Sequence, residues 1–391
     1  MWLWLGFNGS TGLEEGKVSQ ATRSVEKARW RFVDRPLCHG FRAVVCAIRV
    51  GAIIGLSGLA SIALGAPGAL GDDGPVQTPN MFAPVSTPAF AIRDIASFVL
   101  GITAVIFVVV AAVLTYSIIR FRRRRGEDTR EPPQVYGSHQ IELAWTVVPV
   151  LIVVVLFLAT ARYIFGIQGY EPPPRALQVT VVGHQWWWEI RYPDLGIVTA
   201  NELHVPVSDQ ANPRPTFLTL ESADVIHSFW VPQLAGKLDV IPNKTNRTWI
   251  DPHTPGLYVG QCAEFCGVQH AWMLLRVIVH PKDEFDAWVA EQQAPAVDDR
   301  VARTGRDVFG SVACINCHTV RGTTANGIFG PDLTHLMSRS TLGAGVAANT
   351  PENLRNWIEN PAGLKPGVLM PAMQLSRREL DQLVAYLLTL R

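Results

Sequence analysis

Between Cys262 and Met273 the chain places four soft ligands in twelve positions: Cys262, Cys266, His270 and Met273, within GQCAEFCGVQHAWM. A disulfide would consume both thiols and leave the imidazole and the thioether without a role, whereas a metal site uses all four. Thiolates at i and i+4, followed by histidine and methionine, form a sulfur–nitrogen set suited to copper. One further ligand has to come from elsewhere, and His227 in ADVIHSFWVP supplies it from a strand end. A mononuclear blue-copper centre needs one cysteine, two histidines and a weak axial methionine. Here a second cysteine is added, with the Glu264 carbonyl held between the thiols. Two bridging thiolates, with one histidine and one weak axial ligand per metal, fit a dinuclear copper centre. Sharing one electron between two coppers spreads the charge change and reduces the rearrangement that electron transfer requires. Zinc bound by the two cysteines and two histidines is the alternative metal, and it leaves Met273 unused.

A second motif, Cys314-Ile315-Asn316-Cys317-His318, has the C-x-x-C-H form that attaches c-type haem. The two thiols add to the haem vinyl groups, and His318 then lies under the iron. A redox-active C-x-x-C has no need of the histidine, and a zinc site would need a second ligand pair that this region lacks. A methionine opposite His318 gives the Met/His pair that raises the iron potential for electron transfer. LKPGVLMPAM offers Met370 and Met373, with Met337 upstream, and the KPGxxMP setting favours Met370. Gly330-Pro331-Asp332-Leu333 resembles the segment whose backbone carbonyl receives the proximal histidine's ring N–H. Trp357 is either a neighbour of the haem edge or a plain core tryptophan.

The elements that position these groups are legible from hydropathy. At 391 residues the chain has room for two or three domains, and 48% hydrophobic residues is high for a purely soluble one. A formal net charge of +1 gives no global attraction to nucleic acid. Six cysteines are few for a disulfide scaffold. Val44 to Ala66, ending in small residues, reads as a secretory signal, with a third membrane helix as the alternative. Cys46 does not make a lipoprotein of it, because Val45 occupies the position where a lipobox requires Gly or Ala. The charged, Trp-containing residues before it are too long for an ordinary leader, and a start further downstream would account for them. Ile95 to Ile119 carries no charge and is long enough to span ~30 Å of hydrocarbon. It ends in RFRRRR, the cytoplasmic flank that the positive-inside rule requires. Leu143 to Phe165, containing Pro149, returns the chain outward. Everything after Phe165 is then extracytoplasmic.

Beyond YEPPPR the pattern becomes short alternating runs separated by turn residues, an antiparallel sandwich or barrel of about 110 residues. A short helix, KDEFDAWVAEQQ, closes it, and APAVDD is a small polar linker. From about Arg300 the pattern is helical, and Ser376 is a candidate N-cap for the terminal helix. About 90 residues make a small core by themselves, which a covalently held prosthetic group would help fill.

These residues carry a resemblance. His227, Cys262-Ala263-Glu264-Phe265-Cys266, His270 and Met273, preceded by GHQWWW, look like the dinuclear copper A domain of cytochrome c oxidase subunit II. IELAWTVVP resembles the start of that family's second membrane helix, and the C-terminal region resembles the class I cytochromes c fused to subunit II in some bacterial oxidases. The resemblance implies a multidomain α+β chain: an N-terminal extension with its signal (1–80), a two-helix transmembrane hairpin (90–168), a cupredoxin-like Greek-key β-sandwich (172–281), a helix and linker (282–298) and an all-α cytochrome c domain (299–391). It implies that Cys262 and Cys266 bridge the coppers, with His227, His270, Met273 and the Glu264 carbonyl completing the site. The Glu264 side chain would help hold Mg2+ or Mn2+ against subunit I. Trp186 matches the tryptophan through which electrons enter, and Trp187 departs from the tyrosine more usual beside it. Asp224 matches a carboxylate near the donor-docking surface, a role that a fused haem domain would take over. Glu142 matches a glutamate at the mouth of a proton path into subunit I; an ordinary interfacial carboxylate is the alternative.

The implied function is that of subunit II in a respiratory haem–copper oxidase of the bacterial inner membrane. Electrons from cytochrome c or another periplasmic donor would pass to the haem on His318 and Met370, to the copper pair, and on to subunit I. Oxygen is reduced there and protons are pumped by the complex, with subunit III as a further partner and no nucleic acid. A copper A subunit of a nitric oxide reductase and a membrane-tethered electron shuttle are the alternatives.

Overall fold

The computed structural model describes residues 79–122, 134, 136–174, 176–209, 213–296 and 302–391. The segment read as a secretory signal, Cys38, Cys46 and the basic run beyond Arg122 lie outside the described residues.

Two long helices open the described chain, α1 (Thr87–Arg120) and α2 (His139–Gln168). Each is apolar on every side rather than along one stripe, the pattern of a helix whose whole circumference meets an apolar medium. Both are long and apolar enough to cross a membrane. Pro88 lies in the first turn of α1, where a missing N–H breaks no helical bond. Pro149 lies inside α2, as a membrane helix tolerates. The helices extend a few residues beyond the apolar stretches predicted from sequence, and these ends are tied to the sandwich. Thr87 Oγ1 donates to Asp251 Oδ2 at 2.5 Å, Trp249 Nε1 donates to the Ile167 carbonyl at 2.8 Å, and Tyr170 packs against Trp249.

Ten strands follow in two five-stranded sheets. The first holds β1 (Leu177–His184), β2 (Trp187–Tyr192), β3 (Ile197–Ala200), β5 (Thr216–Ser222) and β8 (Asn246–Ile250), in the order β3-β2-β1-β5-β8. The second holds β4 (Glu202–Pro206), β6 (His227–Trp230), β7 (Leu238–Val240), β9 (Gly256–Cys262) and β10 (Leu274–His280), in the order β4-β10-β9-β6-β7. The strands alternate between buried and less buried residues, and β10 does so at every position, because successive side chains point to opposite faces. The inward residues, among them Val181, Ile190, Leu203, Leu220, Phe229 and Val277, form one core. The sequence pattern predicts antiparallel pairing throughout, but β1 pairs with β5 and β4 with β10 in parallel. Alternation reports which face a residue occupies and carries no information on strand direction, so it cannot distinguish the two.

Helix α3 (Lys282–Gln293) then lays Phe285 and Trp288 into the edge of the sandwich core, with Trp288 stacked on His204 at 4.3 Å. The remaining helices are α4 (Arg303–Ser311), α5 (Cys314–Cys317), α6 (Pro351–Glu359), α7 (Pro361–Leu364) and α8 (Arg377–Leu387). They enclose a second core that includes Phe309, Leu354, Leu380 and Leu383. Helices α4 and α8 touch at Gly305, where a Cβ would lie 1.9 Å from the Gln382 carbonyl oxygen. The N-cap expected at Ser376 is present as a capping box with Glu379. A two-residue ladder, β11 (Thr341–Leu342) with β12 (Ala347–Ala348), interrupts this otherwise helical region.

Candidate metal centre and the adjoining pocket

Strand pairing gathers the candidate copper ligands. Strands β6, β9 and β10 are neighbours, with Phe229 opposite Cys262 and the Cys262 amide donating to the Met273 carbonyl at 3.0 Å. His227 at the start of β6, Cys262 at the end of β9 and Met273 just before β10 are thereby gathered at one end of the sheet. The intervening loop folds Cys266 and His270 back over them. Sγ of Cys262 and Sγ of Cys266 are 3.7 Å apart, far beyond a disulfide bond. His227 Nδ1 lies 4.0 Å from the Cys262 sulfur and His270 Nδ1 lies 3.8 Å from the Cys266 sulfur. Met273 Sδ is 3.9 Å from Cys266, and the Glu264 carbonyl is 3.2 Å from the Cys262 sulfur. Both thiols, His227 and Met273 are buried. The donors thus converge on the space around two facing sulfurs, with one imidazole and one weak ligand on each side, and they fit a bridged metal pair. The contact with Cys266, ahead of burial, draws the Cys262 thiol well below its ordinary value, while the same contact pushes Cys266 up. Metal binding takes thiolates rather than thiols, so a metal bound here would displace thiol protons.

Outside the ligands, Asp224 Oδ1 lies 2.7 Å from His227 Nε2, and its other oxygen accepts from the Gln185 amide at 2.6 Å. Burial pushes this carboxyl up, but the bonds from His227, Val225 and Gln185 hold it below its ordinary value. A carboxylate on Nε2 fixes the ring so that Nδ1 faces the sulfurs. From sequence Asp224 is expected near a docking surface; the contact with His227 is visible only in three dimensions. Trp186 Nε1 and Gln185 Nε2 both donate to the Cys266 carbonyl, at 3.0 and 2.8 Å. The Glu264 side chain is exposed, next to Phe265 at 75% exposure. Glu142 lies in the first turn of α2, with an oxygen 3.5 Å from His139 Nδ1. About 39 Å of helix separates it from the end of α2 that meets the sandwich, at 1.5 Å per residue from Glu142 to Gln168.

A pocket borders this cradle. Cys314 and Cys317 line it from α5, with His318, Met370 and Met373. His318 Nδ1 donates to the Pro331 carbonyl at 2.8 Å, the bond expected of the GPDL segment. Burial lowers the imidazole's pKa more than that bond raises it, which favours the neutral ring, with Nδ1 committed to Pro331. A Cβ on Gly330 would lie 2.6 Å from His318 Cε1, so the chain passes close against the ring. Two thiols, an available imidazole nitrogen and two thioethers around an apolar space fit a haem. Met337 packs in the second core instead of lining the pocket. Trp357 both packs against the second core and lines the pocket.

The pocket is not closed by the C-terminal region alone. Gln185, Trp186, Trp187, Asn201 and Gln269 of the sandwich form part of its wall. Buried bonds hold the two regions together there. The Glu202 carboxylate accepts from both the amides and the hydroxyls of Ser340 and Thr341, and the Leu274 amide donates to the Ala344 carbonyl. Lys365 Nζ donates to the carbonyls of Trp186 and Gly343, and Gln269 Nε2 donates to those of Lys365 and Pro366. No periodic or motif signal marks Glu202 or Gln269 in the sequence, and Lys365 is marked only as the first residue of the KPGxxMP run.

Comparison with known proteins agrees with this geometry. The profile described as "Cytochrome C oxidase subunit II, transmembrane domain" matches residues 76–161, "Cytochrome C oxidase subunit II, periplasmic domain" matches 213–280, and "Cytochrome c" matches 302–391. Cytochrome c oxidase subunit 2 of Alkalihalophilus pseudofirmus is 36% identical over 74% of this chain and 84% of its own length. The same protein of Bacillus sp. PS3 is 34% identical over 69% of this chain and 80% of its own. The periplasmic domain of the Bradyrhizobium japonicum subunit II is 31% identical over 32% of this chain and 97% of its own, with a TM-score of 0.29. A membrane hairpin, a sandwich with a soft-ligand cradle and a C-terminal C-x-x-C-H domain therefore belong to one assembly, and the chain is a member of the cytochrome c oxidase subunit 2 family, a copper- and haem-binding partner of the oxidase's subunit I.

Proposed function

We propose that this subunit takes up electrons singly at the C-terminal pocket and hands them through the Cys262–Cys266 loop to subunit I, where oxygen is reduced to water with proton pumping. A haem c in the pocket and a dinuclear copper A centre in the cradle supply the one-electron chemistry when bound. Cys314 and Cys317 would attach the haem, and His318 and Met370 would hold its iron. Cys262, Cys266, His227 and His270 would hold the coppers, with Met273 and the Glu264 carbonyl as weaker donors. Asp224 keeps the His227 ring from turning, which limits rearrangement between oxidation states. Trp186 is the crossing point, since it both walls the pocket and donates to the Cys266 carbonyl at 3.0 Å. That double contact is the observation on which the proposed path rests.

The exposed carboxylate of Glu264 helps hold Mg2+ or Mn2+ with subunit I. Helices α1 and α2 anchor the chain in a bacterial inner membrane, with the sandwich and pocket outside, and Glu142 marks the cytoplasmic mouth of a proton path. Subunit III completes the complex, and cytochrome c or another periplasmic protein is the donor. A visible and near-infrared spectrum with metal analysis tests the cofactors. Haem c bands, a mixed-valence dicopper band, two copper and one iron per chain are expected. His227→Ala or Met273→Leu leaves the haem bands intact and slows or blocks reduction of the downstream centres; unchanged electron throughput overturns the ligand assignment.

A further inference from the structure

The wall between the haem pocket and the copper cradle contains a buried cation that neither cofactor site needs as a ligand. Lys365 is 2% exposed. Its ammonium donates at 2.9 Å to the Trp186 carbonyl and at 2.9 Å to the Gly343 carbonyl. Its own carbonyl and that of Pro366 accept from Gln269 Nε2, at 3.2 and 2.6 Å. Gln269, 1% exposed, immediately precedes His270. Trp186 in turn is bonded through its indole to the Cys266 carbonyl. One residue on the methionine-bearing loop therefore ties together three things: the backbone of Trp186, the ladder that follows Thr341, and the loop that carries Cys266 and His270.

Burying an ammonium whose two acceptors are neutral carbonyls carries a desolvation cost. Burial lowers its pKa to about 8, which reflects that cost. A purely apolar contact would avoid it, but would leave the Trp186 and Gly343 carbonyls without these donors. What the ammonium provides is direction: tetrahedral donors that fix two loops from different regions at set distances from one another.

We propose that Lys365 is a positioning residue for electron transfer within the chain, holding Trp186 against the haem pocket so that the step from pocket to cradle needs no domain movement. This rests on the haem-to-copper reading above and names the residue that sets its geometry. The same arrangement places Trp186 at the internal wall, so an external donor exchanges electrons with the pocket rather than with the cradle directly.

The test uses the assembled oxidase carrying Lys365→Met, Lys365→Arg or Lys365→Gln. Fast reduction of the haem by a photoactivated ruthenium complex is followed by its reoxidation as the copper pair is reduced. Lys365→Met leaves two buried carbonyls without these donors, which lowers the population of the docked arrangement and the internal transfer rate by at least about tenfold. Lys365→Arg, which can donate to both carbonyls, recovers most of that loss. Hydrogen exchange supplies a readout independent of turnover: the Leu274 amide, bonded across the interface to Ala344, exchanges faster in Lys365→Met and not in Lys365→Arg. Should Lys365→Met fail to assemble, Lys365→Gln, with a shorter uncharged donor, is expected to slow transfer in the same direction. Wild-type transfer and exchange in Lys365→Met, or in Lys365→Gln where the methionine variant does not assemble, overturn the proposal. If the unaltered oxidase reduces its copper pair before its haem, the haem-to-copper path itself fails, which is a different result.

Discussion

Replacing Glu202 by alanine should loosen the C-terminal domain from the sandwich while leaving both cofactor cradles chemically intact. Glu202 opens β4, is 2% exposed and receives the Ser340 amide on both oxygens at 3.0 Å. Its Oε1 also accepts from Ser340 Oγ at 2.6 Å, from the Thr341 amide at 3.0 Å and from Thr341 Oγ1 at 2.9 Å. The hydroxyls can rotate toward other acceptors, but the amides cannot. Two stranded amides cost about 1–3 kcal/mol each, and the buried Arg339 nearby loses a favourable charge. Relief of the carboxylate's own desolvation offsets part of this, which leaves about 3–5 kcal/mol, the usual cost of breaking a buried charged cluster from one side. Glu202→Gln keeps an acceptor at Oε1 but turns an NH2 toward the Ser340 amide, and should cost about half as much. The assay is native-state hydrogen exchange of the Ser340 and Thr341 amides in the full chain. At about 1.4 kcal/mol per decade, Glu202→Ala accelerates them by two to three decades and Glu202→Gln by about one. Equal exchange in wild type and Glu202→Ala would refute the reasoning, as would a glutamine variant that is the worse of the two.

Two other perturbations follow from particular contacts. His204 is buried, stacked on Trp288 and 2.8 Å from His280, and burial, with the charges of His280 and Arg339, lowers its pKa to about 3 from an ordinary 6.5. The unfolded chain therefore takes up this proton first as pH falls, so stability present above 6.5 is progressively lost toward 3. The loss is about 2 kcal/mol at pH 5. His204→Phe removes that contribution, and thermal unfolding of the two chains across pH 4–7 measures it; parallel curves would count against it. Gly330→Ala drives a methyl toward His318, whose Cε1 would be 2.6 Å away, and should break the bond to Pro331. Loss of the low-spin haem spectrum with the near-infrared copper band retained is the expected signature, and an unchanged haem spectrum speaks against it.

The ligands were legible in the sequence because their chemistry is local. Five of the six proposed copper ligands, counting the Glu264 carbonyl, lie in one loop, and the proposed haem attachment motif occupies five consecutive residues. His227 lies 35 residues from Cys262, and only the shortage of one nitrogen in the loop marks it as a candidate ligand. The membrane helices and the alternating strands were legible because burial imposes a period on them. Strand direction was not, because β1 and β5 present the same alternation whether they run parallel or antiparallel. Asp224 is marked in the sequence only by its match to a docking-surface carboxylate and Gln185 carries no signal of its own; their contacts with His227 and Cys266 depend on that pairing.

The interface is the part that sequence could not disclose, and it changes how the C-terminal domain is understood. Read alone, about 90 helical residues with C-x-x-C-H describe a self-contained cytochrome with a small core. In the folded chain its pocket borrows a wall from the β1–β2 turn, Trp187, Asn201 and the loop carrying Cys266, so the haem domain and the copper domain share a surface that belongs fully to neither. A tether on a flexible linker would need no buried Glu202, no buried Lys365 and no side chain such as Gln269 reaching across to a partner's carbonyls. These are polar groups whose burial is tolerable only while the two regions are docked. The free energy that holds the cradle and the pocket at a fixed separation is therefore invested in groups that look, in a linear sequence, like ordinary solvent-facing residues.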